Sequence, residues 1–331
     1  MNAPVLADIL SAHQRVAGIV RATPCDPSPS LSTHMGQPVW LKQEHHQHTG
    51  SFKLRGAANA VAQLTPAERA RGVVAVSTGN HGRALAYAAR KSGVRCVICM
   101  SALVPDNKLQ AIRAEGAETR IIGRSQDEAQ AEVDRMIQED GMVMIPPFDD
   151  PRVIAGQGTL GLEVLEAVPD LATMLVQLSG GGLIAGVALA LKAQRPDIRV
   201  IGISMKRGAA MQASLAAGRP VQVDELPTLA DSLGGGIGLA NQYSFAMARD
   251  LVDDVVTLSE PEIAAGIRHC YFAERQIVEG AGAVGVAALL SGRITAQGPV
   301  GVLLSGGNID MALHHRLISG EDVDLMQEQR A

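Results

Sequence analysis

Aromatic residues are scarce in this sequence: phenylalanine, tryptophan and tyrosine together make up 2% of the 331 residues. Proteins that bind nucleic acid use aromatic side chains to stack bases and clustered basic residues to hold the phosphate backbone. The formal net charge of -5 gives no such attraction. We therefore expect no nucleic-acid partner.

Cysteines and long apolar runs are also few. The 4 cysteines are too sparse for a disulfide framework. Cys96 and Cys99 form one CxxC pair, but no second pair completes a zinc site, and their apolar neighbours favour a buried strand. No segment reaches about 18 uninterrupted apolar residues, and residues 1–10 lack the pattern of a signal peptide. We expect a cytoplasmic protein with no membrane partner.

What is present is an alternation of short apolar runs with helical patterns, with glycine or proline at most junctions. Runs rich in β-branched residues without polar alternation are typical of parallel strands that are buried on both faces. Strands are predicted at residues 39–42, 73–77, 96–100, 119–122, 175–178, 200–203, 255–258 and 300–304. Helices are predicted at residues 52–64, 81–92, 107–114, 126–140, 160–167, 183–193, 260–273 and 282–290.

The first segment with unusual chemistry is TGSFKLRG, at residues 49–56. It places Lys53 in the first turn of a predicted helix, where the positive end of the helix dipole disfavours the ammonium form. A neutral amine is what Schiff-base formation requires. Taken alone, the segment is explained more simply by a lysine on a solvated helix face.

Two further strand-to-helix junctions are rich in glycine and hydroxyl residues. STGNHG, at residues 77–82, offers free N–H groups that suit an anion such as a carboxylate, although helix capping by Ser77 or Thr78 is the better explanation when the segment is taken alone. SGGGLIAG, at residues 179–186, has the bare amides of a phosphate cradle. It lacks the lysine of a P-loop and the spacing of GxGxxG, and a tight turn without ligand is the alternative.

A fourth segment, SGGN at residues 305–308, places a hydroxyl at the end of a predicted strand, where ligands gather in open α/β sheets. Together SFKLRGA, GNHG, the glycine cradle and SGGN resemble the fold type II pyridoxal phosphate enzymes, in the branch of serine/threonine dehydratases and serine racemases. The resemblance extends from about residue 23 to residue 308. Within that branch, STGNHGRALAYAAR, ISMKRGAAM and SLGGGIGL are similar to dehydratases associated with hydroxyectoine utilisation.

The resemblance implies an α/β fold of two βα domains with mostly parallel sheets, similar to the tryptophan synthase β subunit, with the cofactor in the cleft between them. We expect a discontinuous large cofactor-binding domain at residues 1–66 and 150–331 and a small mobile domain at residues 67–149. The loop IPPFDD, at residues 145–150, falls at the second crossing between them. A homodimer is also expected from the family.

The resemblance also implies the roles of individual residues. Lys53 would hold pyridoxal 5'-phosphate as a Schiff base and later move the substrate's α-proton. Phe52 would pack beside the cofactor ring, Asn80 would hydrogen-bond its phenolic oxygen and Ser305 would meet its pyridine nitrogen. The phosphate would lie in a cradle made of Ser179, Gly180, Gly181, Gly182 and Leu183. The substrate carboxylate would bind Ser51, Thr78, Gly79, Asn80 and His81.

A serine at position 305 favours one reaction type. A neutral hydroxyl cannot keep the pyridine nitrogen protonated as a carboxylate would, so the ring is a weaker electron sink, and elimination of a β leaving group is favoured over transamination. We expect a pyridoxal-phosphate-dependent ammonia-lyase that dehydrates and deaminates a β-hydroxy-α-amino acid, serine- or threonine-like or larger, to a 2-oxo acid and ammonia.

Two other functions remain open. An amino-acid racemase uses the same cofactor and carbanion, and racemases of this branch carry a serine at the position of Thr78, where many threonine dehydratases carry alanine. The hydroxyl of Thr78 is able to reprotonate the carbanion from the opposite face, as a racemase requires, while its methyl group crowds the site. The second alternative is a pyridoxal-phosphate carrier or effector-binding protein without turnover.

Metal binding is not expected. Some relatives hold a divalent cation through two carboxylates at positions that here are Ser204 and Ala210, and a hard cation needs carboxylate oxygens. His45, His46 and His48 have no matching carboxylate or cysteine set.

Two further positions bear on the substrate and the cofactor. The three glycines at residues 234–236 replace serines of the family's racemases, which leaves space for a substrate bulkier than serine. Glu279, in EGAGAVG, matches a family glutamate near the cofactor. A carboxylate that simply begins a helix is the alternative explanation.

Overall fold

The computed structural model describes residues 2–328, and its strands form two sheets. The strands are β1 (Cys25–Pro27), β2 (Val39–Gln43), β3 (Val73–Val76), β4 (Cys96–Met100), β5 (Glu118–Ile121), β6 (Val143–Met144), β7 (Thr173–Gln177), β8 (Arg199–Met205), β9 (Asp254–Leu258) and β10 (Val300–Leu304). One sheet has six strands in the order β1-β2-β10-β7-β8-β9, and the other has four in the order β5-β4-β3-β6. In the described part of the chain only β1 and β2 pair antiparallel, which confirms the predicted α/β fold.

Helices cover the faces of both sheets. They are α1 (Leu6–Val16), α2 (Pro29–Met35), α3 (Lys53–Ala62), α4 (Pro66–Arg71), α5 (Asn80–Lys91), α6 (Asp106–Ala114), α7 (Gln126–Asp140), α8 (Pro151–Ala167), α9 (Gly182–Lys192), α10 (Ala210–Ala217), α11 (Ser244–Leu251), α12 (Glu260–Phe272), α13 (Gly280–Leu290), α14 (Met311–Ile318) and α15 (Leu325–Glu328). Among residues 2–328 we find no helix whose length and apolar content would let it span a bilayer.

The two sheets draw on different parts of the chain. Residues 73–144 supply the four-stranded sheet, and segments on both sides of them supply the six-stranded one. The predicted domain limits at residues 66 and 150 stay a prediction, and residues 1 and 329–331 of the predicted large domain lie outside the described residues. Cys96 and Cys99 lie in buried β4 as free thiols, which confirms the strand predicted for the CxxC pair.

Helix α8 begins at Pro151, so the predicted start at residue 160 was wrong. Proline suits a first helical position, and the Asp150 carboxylate accepts hydrogen bonds from the N–H groups of Arg152 and Val153. Glycines inside the segment lower its intrinsic helix propensity, but they let α8 lie against α9. A Cβ on Gly186 of α9 would come 2.3 Å from the carbonyl oxygen of Ile154.

The strand order brings the four sequence motifs to one cleft. The chain leaves β3, β7 and β10 at their carboxyl ends into residues 77–82, 179–182 and 305–308, and leaves β2 toward Lys53. In a parallel sheet such ends share one edge, so the ends of β2, β7 and β10 lie together, and the end of β3 belongs to the other sheet. Helix α3 packs against α5 on one side and α8 on the other, which places Lys53 between the two sheets.

Candidate active site

A cavity of about 280 Å³ lies where the motifs meet. It is lined by residues from both sheets. The predicted site residues in its wall are Phe52, Lys53, Thr78, Gly79, Asn80, His81, Ser179, Gly180, Gly181, Gly182, Leu183, Glu279 and Ser305. The predicted catalytic, cofactor and substrate residues are thus brought together, with one exception described below.

Lys53 begins α3 and carries a buried amine. Its Nζ donates to the carbonyl oxygen of Pro147 at 2.7 Å and lies 5.3 Å from the centroid of the Phe52 ring. The first turn of α3 is fixed to β10, because the backbone N–H of Phe52 donates to the carbonyl oxygen of Ser305 at 3.0 Å. Burial lowers the pKa of Lys53 to about 8, against the attraction of the Glu279 carboxylate. The amine is therefore about half neutral at pH 8, whereas an ordinary lysine with a pKa near 10.5 would be almost fully protonated there.

The glycine cradle at residues 180–182 is shaped by Phe148. A Cβ on Gly180 would lie 2.3 Å from the Phe148 ring, and one on Gly182 would lie 2.5 Å from the Phe148 carbonyl oxygen. Gly181 has φ +89°, a left-handed conformation that favours glycine. The first N–H groups of α9 have no acceptor within the helix and lie at its positive end. These features suit a bound phosphate.

The turn at residues 77–81 is ordered by its own side chains. Ser77 Oγ accepts hydrogen bonds from the N–H groups of Gly79 and Gly82 at 3.3 and 3.0 Å. His81 is buried with Nε2 2.8 Å from the carbonyl oxygen of Ile145, and burial together with the nearby Lys53 lowers its pKa to about 3. A neutral His81 at this place orders the turn, and the remaining N–H groups at the start of α5 suit a carboxylate.

Glu279 is a buried carboxylate that precedes α13. Its Oε1 accepts from Asn80 Nδ2 at 2.8 Å, and its Oε2 accepts from the backbone N–H of Asn308 at 3.1 Å. Burial raises the pKa of Glu279 to about 7, with a further upward contribution from Asp231, and the two hydrogen bonds oppose that rise. Glu279 therefore does more than begin a helix, because it joins Asn80 to the SGGN segment.

Charged side chains surround the open end of the cavity. Lys108 of α6 pairs with Asp231 at 2.9 Å, and Glu225 and Ser232 also lie in the wall. Of the three glycines at residues 234–236, the cavity wall includes Gly234. Of the three glycines, Gly234 is therefore the one whose missing side chain bears on the space for a substrate in the cavity.

Ser51 is the exception among the predicted residues. It is fully buried, lies outside the cavity wall, and forms a backbone bridge with Gly306. Among the described residues its Oγ has no hydrogen-bond partner. Ser51 therefore does not contact the cavity in this structure, and its substrate-binding role stays a prediction.

The histidine loop and the cation positions lie elsewhere. Nε2 of His45 and Nε2 of His46 both contact Gln276 Oε1, at 2.8 and 2.9 Å, and His48 stacks on Tyr87. Ser204 lies in β8 and Ala210 begins α10. Within residues 2–328 no cluster of three or more histidine, cysteine or carboxylate side chains has the arrangement of a metal site.

Sequence reasoning missed three features of this site. Pro147 and Phe148, from the loop predicted as a domain crossing, contact Lys53 and the cradle. Gln177, at the end of β7, lines the cavity, and among the described residues its Oε1 has no partner. Asn308 was quoted only as the last letter of SGGN. Phe148 was the most detectable, since an aromatic residue beside two prolines is unusual in a chain with so few aromatics.

The residues in the cavity fit an aldehyde that carries a phosphate. A buried amine with a lowered pKa is able to form an imine, and bare amides at a helix start suit a phosphate. The hydroxyl of Ser305, also in the wall, offers a neutral partner to a ring nitrogen.

Comparison with known proteins points the same way. The family model described as pyridoxal-phosphate dependent enzyme matches residues 16–306. A protein from Sinorhizobium fredii, named provisionally as a threonine dehydratase, is 61% identical over 95% of both chains. The L-threonine ammonia-lyase of Thermotoga maritima is 40% identical over 95% of this chain and 78% of its own. The structure of maize serine racemase matches with a TM-score of 0.90 and 34% identity, over 96% of this chain and 98% of that one.

Proposed function

This chain belongs to the pyridoxal-phosphate dependent enzyme family, and on that basis we propose that it converts a β-hydroxy-α-amino acid to a 2-oxo acid and ammonia. Its threonine dehydratase and ammonia-lyase relatives support that class of reaction. The observation that carries the proposal is that the Lys53 amine shares one cavity with the turn at residues 77–81 and the cradle at residues 180–182. These elements suit a carboxylate and a phosphate held near one nucleophile.

The cofactor supplies an electron sink for the bond that is broken at the α-carbon. We propose that the following residues hold it: Phe52, Lys53, Asn80, Ser179, Gly180, Gly181, Gly182, Leu183, Glu279 and Ser305. Phe148 supports this set, because its ring and backbone fix the cradle from the outside. Among these residues the neutral hydroxyl of Ser305 favours elimination over transamination.

Lys53 is the group that moves the substrate's α-proton in this proposal. A pKa of about 8 is suitable for a general base near neutral pH. Such a positioned base contributes about a hundredfold to ten-thousandfold in rate. Backbone N–H groups of Thr78, Gly79, Asn80 and His81 hold the substrate carboxylate, while buried His81 keeps the turn in place.

The substrate is threonine or a larger β-hydroxy amino acid in this proposal. Gly234 leaves its part of the cavity wall without a side chain. The mouth carries Lys108, Asp231 and Glu225, so charged substituents also merit testing. A product of hydroxyectoine breakdown belongs in the same test, because of the motifs quoted above.

The test is to load the purified protein with pyridoxal phosphate and to measure 2-oxo acid release from serine, threonine, 3-hydroxyaspartate and longer β-hydroxy amino acids. The expected result is release from threonine or a larger member, with little from the Lys53→Ala variant. A protein that binds the cofactor but releases 2-oxo acid from no member would remove the dehydratase proposal.

A racemase is the second candidate, because the Thr78 side chain lies in the cavity wall and carries a hydroxyl. Chiral analysis of the unreacted amino acid separates the two reactions. Strong inversion with little 2-oxo acid would favour the racemase. If Thr78 reprotonates the substrate, Thr78→Ala would lower inversion and leave 2-oxo acid release, whereas Thr78→Ser would keep both.

Three further properties complete the proposal. We propose a homodimer in the cytoplasm, with residues 67–149 as a small unit that moves against the rest. Three large apolar side chains are exposed in the single chain: Phe272 at the end of α12, Ile277 shortly after it and Met311 at the start of α14. A second subunit that packed against them would remove this apolar surface from water. Light scattering during gel filtration tests the dimer, and a monomer at micromolar concentration would contradict it.

A further inference from the structure

Asn80 has a side-chain amide whose two ends do opposite things, since the oxygen accepts hydrogen bonds and the nitrogen donates them. Which end points into the cavity decides what Asn80 offers a ligand. The neighbours of the amide settle this question, because each has a fixed donor or acceptor character.

The orientation of the Asn308 side-chain amide is fixed by Thr49 and Arg83. The backbone carbonyl oxygen of Thr49 is only an acceptor and lies 2.9 Å from Asn308 Nδ2, which fixes the nitrogen end of the Asn308 amide. The second hydrogen of that nitrogen goes to Asn80 Oδ1 at 2.5 Å. Arg83 Nη1, which is only a donor, holds Asn308 Oδ1 at 2.5 Å and fixes the other end.

With its oxygen held by Asn308, Asn80 turns its nitrogen toward Glu279 and the cavity. One Nδ2 hydrogen goes to Glu279 Oε1 at 2.8 Å, and among residues 2–328 the other has only a long contact of 3.4 Å to Ser232 Oγ. That second hydrogen is the one available to a ligand in the cavity. It suits an acceptor such as an ionised phenolic oxygen.

The backbone makes room for this arrangement at Gly50. A Cβ there would lie 2.4 Å from Asn308 Oδ1, and Gly50 has φ +75°, which favours glycine. Asn308 also holds Glu279, through its own backbone N–H at 3.1 Å. Asn308 therefore contacts both Asn80 and the carboxylate to which Asn80 donates, from the six-stranded side of the cleft.

We propose that Asn308 is a positioning residue that locks the Asn80 amide with its N–H toward the ring oxygen of the bound cofactor. The inference rests on the proposed function, since it concerns the same cofactor. Asn308 was given no role on the basis of the sequence motifs, and it does not lie in the wall of the active-site cavity.

The test uses the full-length protein loaded with pyridoxal phosphate and the variant Asn308→Asp. The new carboxylate has no donor for Thr49 or Asn80 and competes with Glu279 for the Asn80 Nδ2 hydrogens. The Asn80 amide is then no longer held with its free N–H toward the cavity. The ring oxygen loses its donor and its ionised form is destabilised by about one hydrogen bond. We expect the ratio of the visible to the near-ultraviolet absorbance band to fall about tenfold, with kcat/KM falling by a similar factor.

Asn107→Asp is the matched control. Asn107 is exposed, donates to Asp310 at 3.1 Å and does not touch Asn80, so the same chemical change there is expected to leave the two bands unaltered. Asn308→Ala is the second variant, and it decides the question if Asn308→Asp does not fold. It removes the donor without adding charge, and a smaller change in band ratio in the same direction is expected.

An unaltered band ratio in a folded Asn308 variant would overturn the inference, even if activity fell. A wild-type protein that shows no cofactor-dependent visible band would instead overturn the proposed function. A crystal structure of the loaded wild type with the Asn80 oxygen toward the ring would also refute the positioning role.

Discussion

The Lys53 amine has a lowered pKa and donates a hydrogen bond to the carbonyl oxygen of Pro147, and both properties follow from its burial between the two sheets. Only the neutral amine attacks an aldehyde, and a group with a pKa of about 8 is mostly protonated at pH 7. We predict that the rate of cofactor attachment to the cofactor-free protein rises about fivefold from pH 7 to pH 8 and levels off above pH 9.

Stopped-flow absorbance measures that rate. Lys53→Ala is expected to abolish the visible band, while Lys91→Ala, at an exposed position of α5, is expected to retain it. A rate that keeps rising about tenfold for each pH unit beyond pH 9 would contradict the lowered pKa.

At Gly181 of the cradle, an added side chain would meet both backbone strain and steric clashes. The φ of +89° there is strained for other residues, and a Cβ would lie 2.6 Å from Met211 Cε and 3.1 Å from Ser244 Cβ. We predict that Gly181→Ala weakens cofactor binding at least about tenfold, because strain on the order of 1–2 kcal/mol falls on the amides that hold the phosphate.

Gly218→Ala is the control for strain alone, since Gly218 has φ +68° with nothing within 4 Å of a Cβ. It is expected to lower the melting temperature and to leave the cofactor Kd, measured by fluorescence titration, near the wild-type value. Equal Kd changes in both variants would mean that the effect is general loss of stability.

At the scale of elements, the loop at residues 145–150 connects three parts of the site. Pro147 accepts from Lys53, Phe148 packs on the cradle, and Asp150 caps α8. Asp149 accepts from the backbone N–H groups of residues 242–244 at 2.7, 2.9 and 2.9 Å, which satisfies the start of α11. From there Ser244 Oγ donates to the carbonyl oxygen of Gly180 at 2.7 Å.

We predict that Asp149→Ala lowers the free energy of unfolding by about 1–2 kcal/mol, as loss of a helix cap does, and speeds cofactor loss through Ser244 and Gly180. Urea denaturation and the decay of cofactor absorbance in a scavenger measure the two effects. Asp250→Ala, at the exposed far end of α11, is expected to change stability by less than about 0.5 kcal/mol. Similar losses in the two variants would argue against the capping role.

At the scale of the whole molecule, the two sheets meet around the cavity, and polar contacts join its two sides. Lys108 of α6 reaches Asp231 at 2.9 Å, and both side chains are partly exposed, with 36% and 53% of their surface accessible. Exposed pairs of this kind contribute little to stability, typically about 0–1 kcal/mol.

We predict that Lys108→Ala changes the free energy of unfolding by less than about 1 kcal/mol but raises KM more than it lowers kcat, because the pair lines the cavity where its side chains are partly exposed. Arg135→Ala, which breaks exposed ion pairs on α7 away from the cavity, is the control. Steady-state kinetics at low and high salt measure the effect. An unaltered KM, or an equal change in the control, would contradict the role of the pair in the cavity wall.

Much of the fold was predictable because its signals are local. Buried parallel strands such as β4 and β10 are continuous apolar runs, so their ends were predicted to the residue, whereas short β1 and β6 carry too few residues for a pattern. Helix α8 was predicted nine residues too short, since its glycines lower its helix propensity, and close packing against α1, α3 and α9 offsets that loss.

The sequence by itself determined the motifs and their order, because the lysine, the bare glycine amides and the serine hydroxyl are residue types at fixed positions in the chain. The resemblance of those motifs to a known enzyme family then implied the cofactor. Only the tertiary structure decided which side chains complete the site. Phe148 meets Gly180, Thr49 meets Asn308 and Ser51 is buried away from the cavity because of how distant segments pack. Such contacts depend on the relative positions of two sheets, which no local period in the chain encodes.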